Sequence, residues 1–131
     1  MKSVSGEEEI VKALKKFSKE VQTKAIVFGT REAAKKIRDD ARVYAPLETG
    51  NLRENIRALK TPKKITRMLF GTEAVSYTVG VTKLAWYGVF LEYGTKHMSP
   101  DPFIYPAVVK NYDNIISILK KNIKVFLDKK V

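Results

Sequence analysis

Four side chains that can move protons or attack carbon or phosphorus sit close together in LEYGTKHMSPDPF, residues 91–103: Glu92, His97, Ser99 and Asp101. A histidine hydrogen-bonded to a serine and steered by an acid is the arrangement that hydrolysis by an activated hydroxyl needs. Ser99, however, lies in SPDP, a turn sequence with nothing of the strand–turn–helix elbow that exposes a nucleophile. His97 is the chain's single histidine and cysteine is absent, so no thiolate chemistry arises and one histidine among scattered acids lacks metal-ligand spacing. GTREAAKK (29–36) has a glycine and lysines without the spacing of a phosphate-binding loop. No two carboxylates are set in a frame for acid–base work. A hydrolase or nuclease built on His97 is therefore the weakest reading, and no catalytic, cofactor or metal residue is expected.

Charge points elsewhere. The chain of 131 residues carries 25 Lys and Arg against 14 Asp and Glu, a net charge of +11. The excess is densest in the middle, where RALKTPKKITR (57–67) holds Arg57, Lys60, Lys63, Lys64 and Arg67 with no acid among them. Such a run attracts nucleic acid or acidic protein surfaces. Without a zinc finger, RNA-recognition motif or helix-turn-helix pattern, any nucleic-acid contact would be sequence-independent and steeply salt-sensitive. A small basic nucleic-acid-binding module is accordingly an alternative function. Trp86, Tyr87, Phe90 and Tyr93 could stack on bases, but their apolar neighbours suggest a core position. No apolar run is long enough to cross a membrane, and the acidic start MKSVSGEEEIVK is unlike a signal peptide, so a soluble protein made in the cytoplasm is expected.

The elements that would position these residues read as α+β in one domain, 1–131. Ile10, Leu14, Phe17, Val21, Ala25 and Phe28 fall on one helical face, and Ala34, Ile37, Ala41 and Tyr44 continue it. This predicts a long helix over 7–45, kinked or divided at Gly29 and ended by Pro46. A β-rich middle follows over 52–95. Asn51 is placed to cap a helical turn with Glu54 answering as in a capping box. AVSYTVGV (74–81) alternates as a strand with Val75, Tyr77, Val79 and Val81 inward, and ITRMLFGTE (65–73) is its expected antiparallel partner. WYGVFLEYG (86–94) reads as either a short helix or a strand. A C-terminal helix over 106–128, starting at Pro106 and packed on the small sheet, completes the chain.

The punctuation carries the most specific signal. APLETGNLRENI (45–56), YGVFLEYGT (87–95), Met98 and PFIYPA (102–107) combine turn residues with large apolar anchors. In this order and spacing they resemble the tail-completion and head–tail joining family of long-tailed, siphovirus-type phages. The pattern is APxxTGNLRxxI, YxxFLEYGT, a methionine and PFxxPA. The matching residues are Pro46, Thr49, Gly50, Asn51, Leu52, Arg53, Tyr87, Phe90, Glu92, Tyr93, Gly94, Thr95, Met98, Pro102, Phe103 and Pro106. The resemblance covers roughly residues 25–110. It implies a structural virion protein of a phage or prophage, with no enzymatic activity and no cofactor, synthesised in the host cytoplasm. It further implies a ring of copies at the neck of the virion. The implied partners are the head-side connector or head-closure proteins and the tail tube or tail terminator. Phage DNA would pass through the channel, and no membrane is involved. In that setting Arg57, Lys60, Lys63, Lys64 and Arg67 would face DNA or an acidic partner. LEYGTKHMSPDPF would be a joint anchored by Tyr93, Met98 and Phe103, presenting Lys96 and His97 to a neighbour. One departure is Glu54, where the family carries a serine or similarly small residue.

Overall fold

Ser18 sets the first break in the chain. The computed structural model describes residues 3–46, 50–72 and 74–129, and its first helices are α1, Ser3–Lys15, and α2, Lys19–Tyr44. The Ser18 hydroxyl accepts the Val21 N–H at 3.3 Å, satisfying one of the donors that a starting helix leaves orphaned. Gln22 reinforces the joint by donating Nε2 to the Phe17 carbonyl at 2.9 Å. The break expected at Gly29 thus falls earlier, and α2 passes through Gly29 unbroken.

The remaining elements are α3 (Asn51–Glu54), β1 (Ile56–Lys60), α4 (Lys63–Phe70), β2 (Tyr77–Val81), a single 3-10 turn (Lys83–Ala85), α5 (Gly88–Tyr93), α6 (Ile104–Tyr112) and α7 (Ile115–Asp128). The class is α+β, with a two-stranded antiparallel sheet. The elements sort into two compact units. One comprises Met1–Ala33, Thr61–Ser76 and Asp113–Val131; the other comprises Ala34–Lys60 and Tyr77–Tyr112.

In the first unit the stripe read from the sequence becomes a core. Leu14, Ala25, Ile123 and Leu127 are buried together, with Ile10, Phe17, Val21 and Phe126 against them. Gly29 has a packing role: a Cβ there would lie 2.7 Å from Ile123 Cγ1 and 3.4 Å from the Leu119 carbonyl oxygen. Its missing side chain is what lets α7 come this close. Phe28 and Phe126 stack beside it with ring centroids 5.7 Å apart.

Of the segment expected to be a strand at 65–73, residues 65–70 belong instead to the helix α4, and Glu73 lies outside the described residues. Ile65, Met68 and Leu69 recur at intervals of three and four, the helical period, and this outweighs the weak alternation of Ile65, Arg67 and Leu69. Pro62 precedes the helix. Gly71, at φ 75°, closes it in the left-handed region and donates its N–H to the Arg67 carbonyl at 2.8 Å. Thr66 faces inward and donates its hydroxyl to the Pro62 carbonyl at 3.2 Å.

In the second unit β2 pairs with β1, from Ile56↔Val81 to Lys60↔Tyr77. The inward alternation expected of Val79 and Val81 is present. Both pack on a cluster of Ala41, Ala45, Leu52, Ile56, Ala85, Phe103 and Ala107, whereas Thr78 is exposed. The C-terminal helix expected as one rod is two. α6 begins at Ile104, which makes Pro106 its third residue rather than its first, still inside the turn whose N–H groups have no helical partner. Through Ile104 and Ala107, α6 packs with the sheet.

A buried charge ties α2 to α6. Asp40 accepts from Lys36 Nζ at 2.8 and 3.0 Å and from Asn111 Nδ2 at 2.7 Å, with Lys110 Nζ at 3.5 Å. Burial pushes its carboxyl up, but the hydrogen bonds from Lys36 and Asn111 and the charges of Lys36 and Lys110 outweigh this. The net effect holds it below the ordinary carboxylate value.

Candidate functional site

Asn51 does not cap α3. The helix starts at Asn51 itself, after Gly50, with no side-chain cap, and Glu54 is exposed. The Asn51 amide reaches outward instead, donating Nδ2 to the Leu84 carbonyl and the Tyr87 hydroxyl, each at 3.0 Å. Asn55 donates back to the Asn51 carbonyl at 2.9 Å and side-chain oxygen at 3.2 Å, and accepts the Thr82 hydroxyl at 2.7 Å. The TGNLR motif is thereby bolted to the start of the YGVFLEYGT motif. A capping box is local to one helix, and nothing local in the sequence signals a link across these separations.

The three motifs meet at Gly88. A Cβ there would be 2.9 Å from Leu52 Cδ1, 2.9 Å from Val81 Cγ1 and 3.4 Å from Phe103 Cζ. Leu52 and Phe103 are both buried. Beside this junction Pro46, Leu52, Tyr87, Phe90 and Met98 line one cavity of about 580 Å³. The structure therefore brings together most of the residues singled out by motif; Thr49 lies outside the described residues.

The stretch with the apparent chemistry is a knotted turn. Glu92 leans across it, its Oε1 accepting the N–H groups of Phe103 at 3.1 Å and Ile104 at 2.9 Å, and its Oε2 that of Tyr105 at 3.0 Å. These are the first amides of α6, where a helix favours negative charge. The acid that would have steered a histidine is the remote cap of a helix. Gly94, at φ 75°, donates to the Phe90 carbonyl at 2.7 Å. A Cβ on it would press to 2.8 Å from Pro100 Cδ and 2.9 Å from the Met98 carbonyl oxygen. Thr95 and Met98 then pair as an isolated bridge, Thr95 Oγ1 accepts the His97 N–H at 3.2 Å, and Asp101 N–H returns to the Leu91 carbonyl at 2.7 Å. His97, Ser99 and Asp101 are exposed on this turn. Among the described residues no group of three or more His, Asp or Glu side chains could hold a metal ion.

Two expectations about anchors change. Of Tyr93, Met98 and Phe103, only Phe103 is buried; Tyr93 is 78% exposed. The aromatics expected in the core stand largely outside it. Trp86 and Phe90 are exposed and meet edge to face at 5.6 Å, and Leu84 and Val89 are exposed beside them. The reason is the helical period of α5. Trp86 and Tyr87, in helical conformation just before α5, extend its period: Trp86, Phe90 and Tyr93 recur at intervals of four and three on the outer side, while Tyr87, Gly88 and Leu91 take the inner side.

The basic run is not one loop. Arg57 and Lys60 stand on β1 and Lys63, Lys64 and Arg67 on α4, in different units, all exposed.

Fold and site together define a small α+β module whose shared motif residues build a frame. Residues 8–94 match the family model described as "Bacteriophage HK97-gp10, putative tail-component", and the chain belongs to this family. The matched span holds the 45–56 motif and YGVFLEYG; PFIYPA lies beyond it. The family places the chain among phage structural tail proteins, which work in the virion with other virion proteins. Neither a comparison with curated proteins nor one with solved structures gave a match. Among the described residues no helix is long and apolar enough to cross a membrane.

Proposed function

We propose that the chain is a tail-completion, head–tail joining protein, made in the host cytoplasm and assembled as a ring of copies at the virion neck. Its partners on this reading are its own neighbours in the ring, the head-side connector or head-closure proteins, and the tail tube or tail terminator, with DNA passing through the channel. It works as a structural part, with neither catalysis nor cofactor. The observation that carries the reading is the family match across both leading motifs. The geometry supports it in two ways. Asn51, Leu52, Tyr87, Glu92, Gly94 and Phe103 of the motifs shape one frame. That frame also holds out an aromatic face, Trp86, Phe90 and Tyr93, of the kind that marks protein interaction surfaces.

Labelling tests the placement. A C-terminal tag on the phage-encoded protein, decorated with gold and viewed by negative-stain electron microscopy, should mark the head–tail junction. Label along the tail or at its distal tip would contradict the neck assignment while leaving the family membership intact.

A further inference from the structure

One charged residue of the TGNLR motif is not engaged in holding the frame. Asn51 and Asn55 on either side of it bond within the unit, but Arg53 Nε is buried with no hydrogen-bond partner. Buried guanidinium N–H groups are costly to leave unsatisfied, so such a group calls for an acceptor. Arg53 opens on a cavity of about 460 Å³ that Arg42, Arg57 and Glu54 also line. Arg42 is fixed there by donating Nε and Nη2 to the Ile56 carbonyl at 3.3 and 2.8 Å. Burial first, then the charges of Arg38 and Arg57, push its proton affinity below the ordinary guanidinium value, with Asp39 opposing. Asp39 itself is paired with Arg38 at 2.9 Å. Among the described residues, no ion pair is formed by Arg53 or Arg57. The cavity gathers three arginines against the single carboxylate of Glu54.

We propose that this pocket is a carboxylate-binding site, which receives an acidic side chain presented by a second protein and holds it on the fork of Arg53 between Arg42 and Arg57. Guanidinium matches the two oxygens of a carboxylate in one plane, and this favours arginine over lysine at such a site. Phosphate is the competing oxyanion. DNA, however, gains its affinity from many phosphates along a face, whereas this cavity concentrates its charge at one place and carries the carboxylate of Glu54 at its exposed rim. A single side chain can enter past Glu54; a row of phosphates running over it is repelled. The site holds for any acidic protein partner and does not depend on the neck assignment.

The test is a titration of the full ¹⁵N-labelled chain, followed through its arginine Nε–H resonances. The probes are a short, otherwise uncharged peptide carrying a single glutamate and, separately, a short DNA duplex at matched ionic strength. The peptide should shift the Arg53 signal saturably and the duplex should leave it in place. Arg53→Lys, which keeps the charge and removes the fork, should weaken the peptide about tenfold, while Arg67→Lys should bind as the natural chain does. If the duplex moves the Arg53 signal before the peptide does, the site is one for phosphate and the proposal is wrong. If neither probe moves it, or if Arg53→Lys binds the peptide with undiminished affinity, the attraction is only diffuse charge and there is no pocket. An Arg53→Lys chain that fails to fold leaves the titration of the natural chain to decide.

Discussion

Substituting Glu92 separates a structural from a chemical role most sharply. Its two carboxylate oxygens accept three backbone N–H groups, at 2.9 to 3.1 Å, from Phe103, Ile104 and Tyr105. Hydrogen bonds to a charged group contribute about 1.5–3 kcal/mol, and loss of an ordinary helix cap costs about 1 kcal/mol. Glu92→Ala leaves those amides to water and should destabilise the fold by about 2–3 kcal/mol. Glu92→Gln keeps the shape but turns an NH₂ group toward one of the amides, so it should recover less than half of that loss. Urea unfolding followed by circular dichroism reads the difference. With a slope of about 1–3 kcal/mol per molar for a small protein, the midpoint for Glu92→Ala should fall by about 0.7 M or more with the slope unchanged. A catalytic acid would behave in the opposite way, its removal leaving stability unchanged or raising it. A Glu92→Ala midpoint within about 0.2 M of the natural chain's would refute the capping argument.

Other perturbations follow from the same geometry. Gly94→Val puts a branched side chain at φ 75° and against Pro100 and the Met98 carbonyl; it should cost at least about 2 kcal/mol, seen as a lower melting temperature and failed particle assembly. Gly29→Val forces Ile123 away and should cost about 1–3 kcal/mol, measured by urea unfolding and accompanied by shifted resonances on α7. Asp40, whose carboxyl is held below its ordinary value, stabilises the fold above about pH 3.9, the unfolded-chain value. That contribution fades as pH falls through the lower folded value, so unfolding free energies between neutral and acid pH should fall less for Asp40→Asn than for the natural chain. Replacing Lys60, Lys63 and Lys64 by glutamine should impair particle assembly or DNA retention if the run meets DNA or an acidic partner; unchanged infectivity would reduce it to solvated surface.

How far the sequence could be read depended on whether the signal was local. The stripe from Ile10 to Phe28 survived as a core because the helical period continues across the break. That same continuity hid the break, although Ser18 with Val21 three residues on is a capping pattern. β2 was legible in its β-branched alternation. Its partner was not, because IRALK has little β-branched character while ITRMLF looks more like a strand than it is. Pro62 and Gly71, one before and one after α4, carried the correct answer. At the site, the motifs named the right residues but not their roles. The Glu92 cap, the Asn51–Tyr87 link and the close approach at Gly88 all join positions far apart in the chain. No short-range propensity reports on them. The exposed aromatic face followed from the period of α5, which a segment read equally as helix or strand could not supply.

The neck role is tested most directly in lysates of a phage or induced prophage in which this gene carries a stop codon, viewed by electron microscopy. Separate heads, filled or emptied, should appear alongside free tails, with joined particles restored when the natural chain is supplied from a plasmid. Normal joined particles in the stop-codon lysate would contradict the neck role.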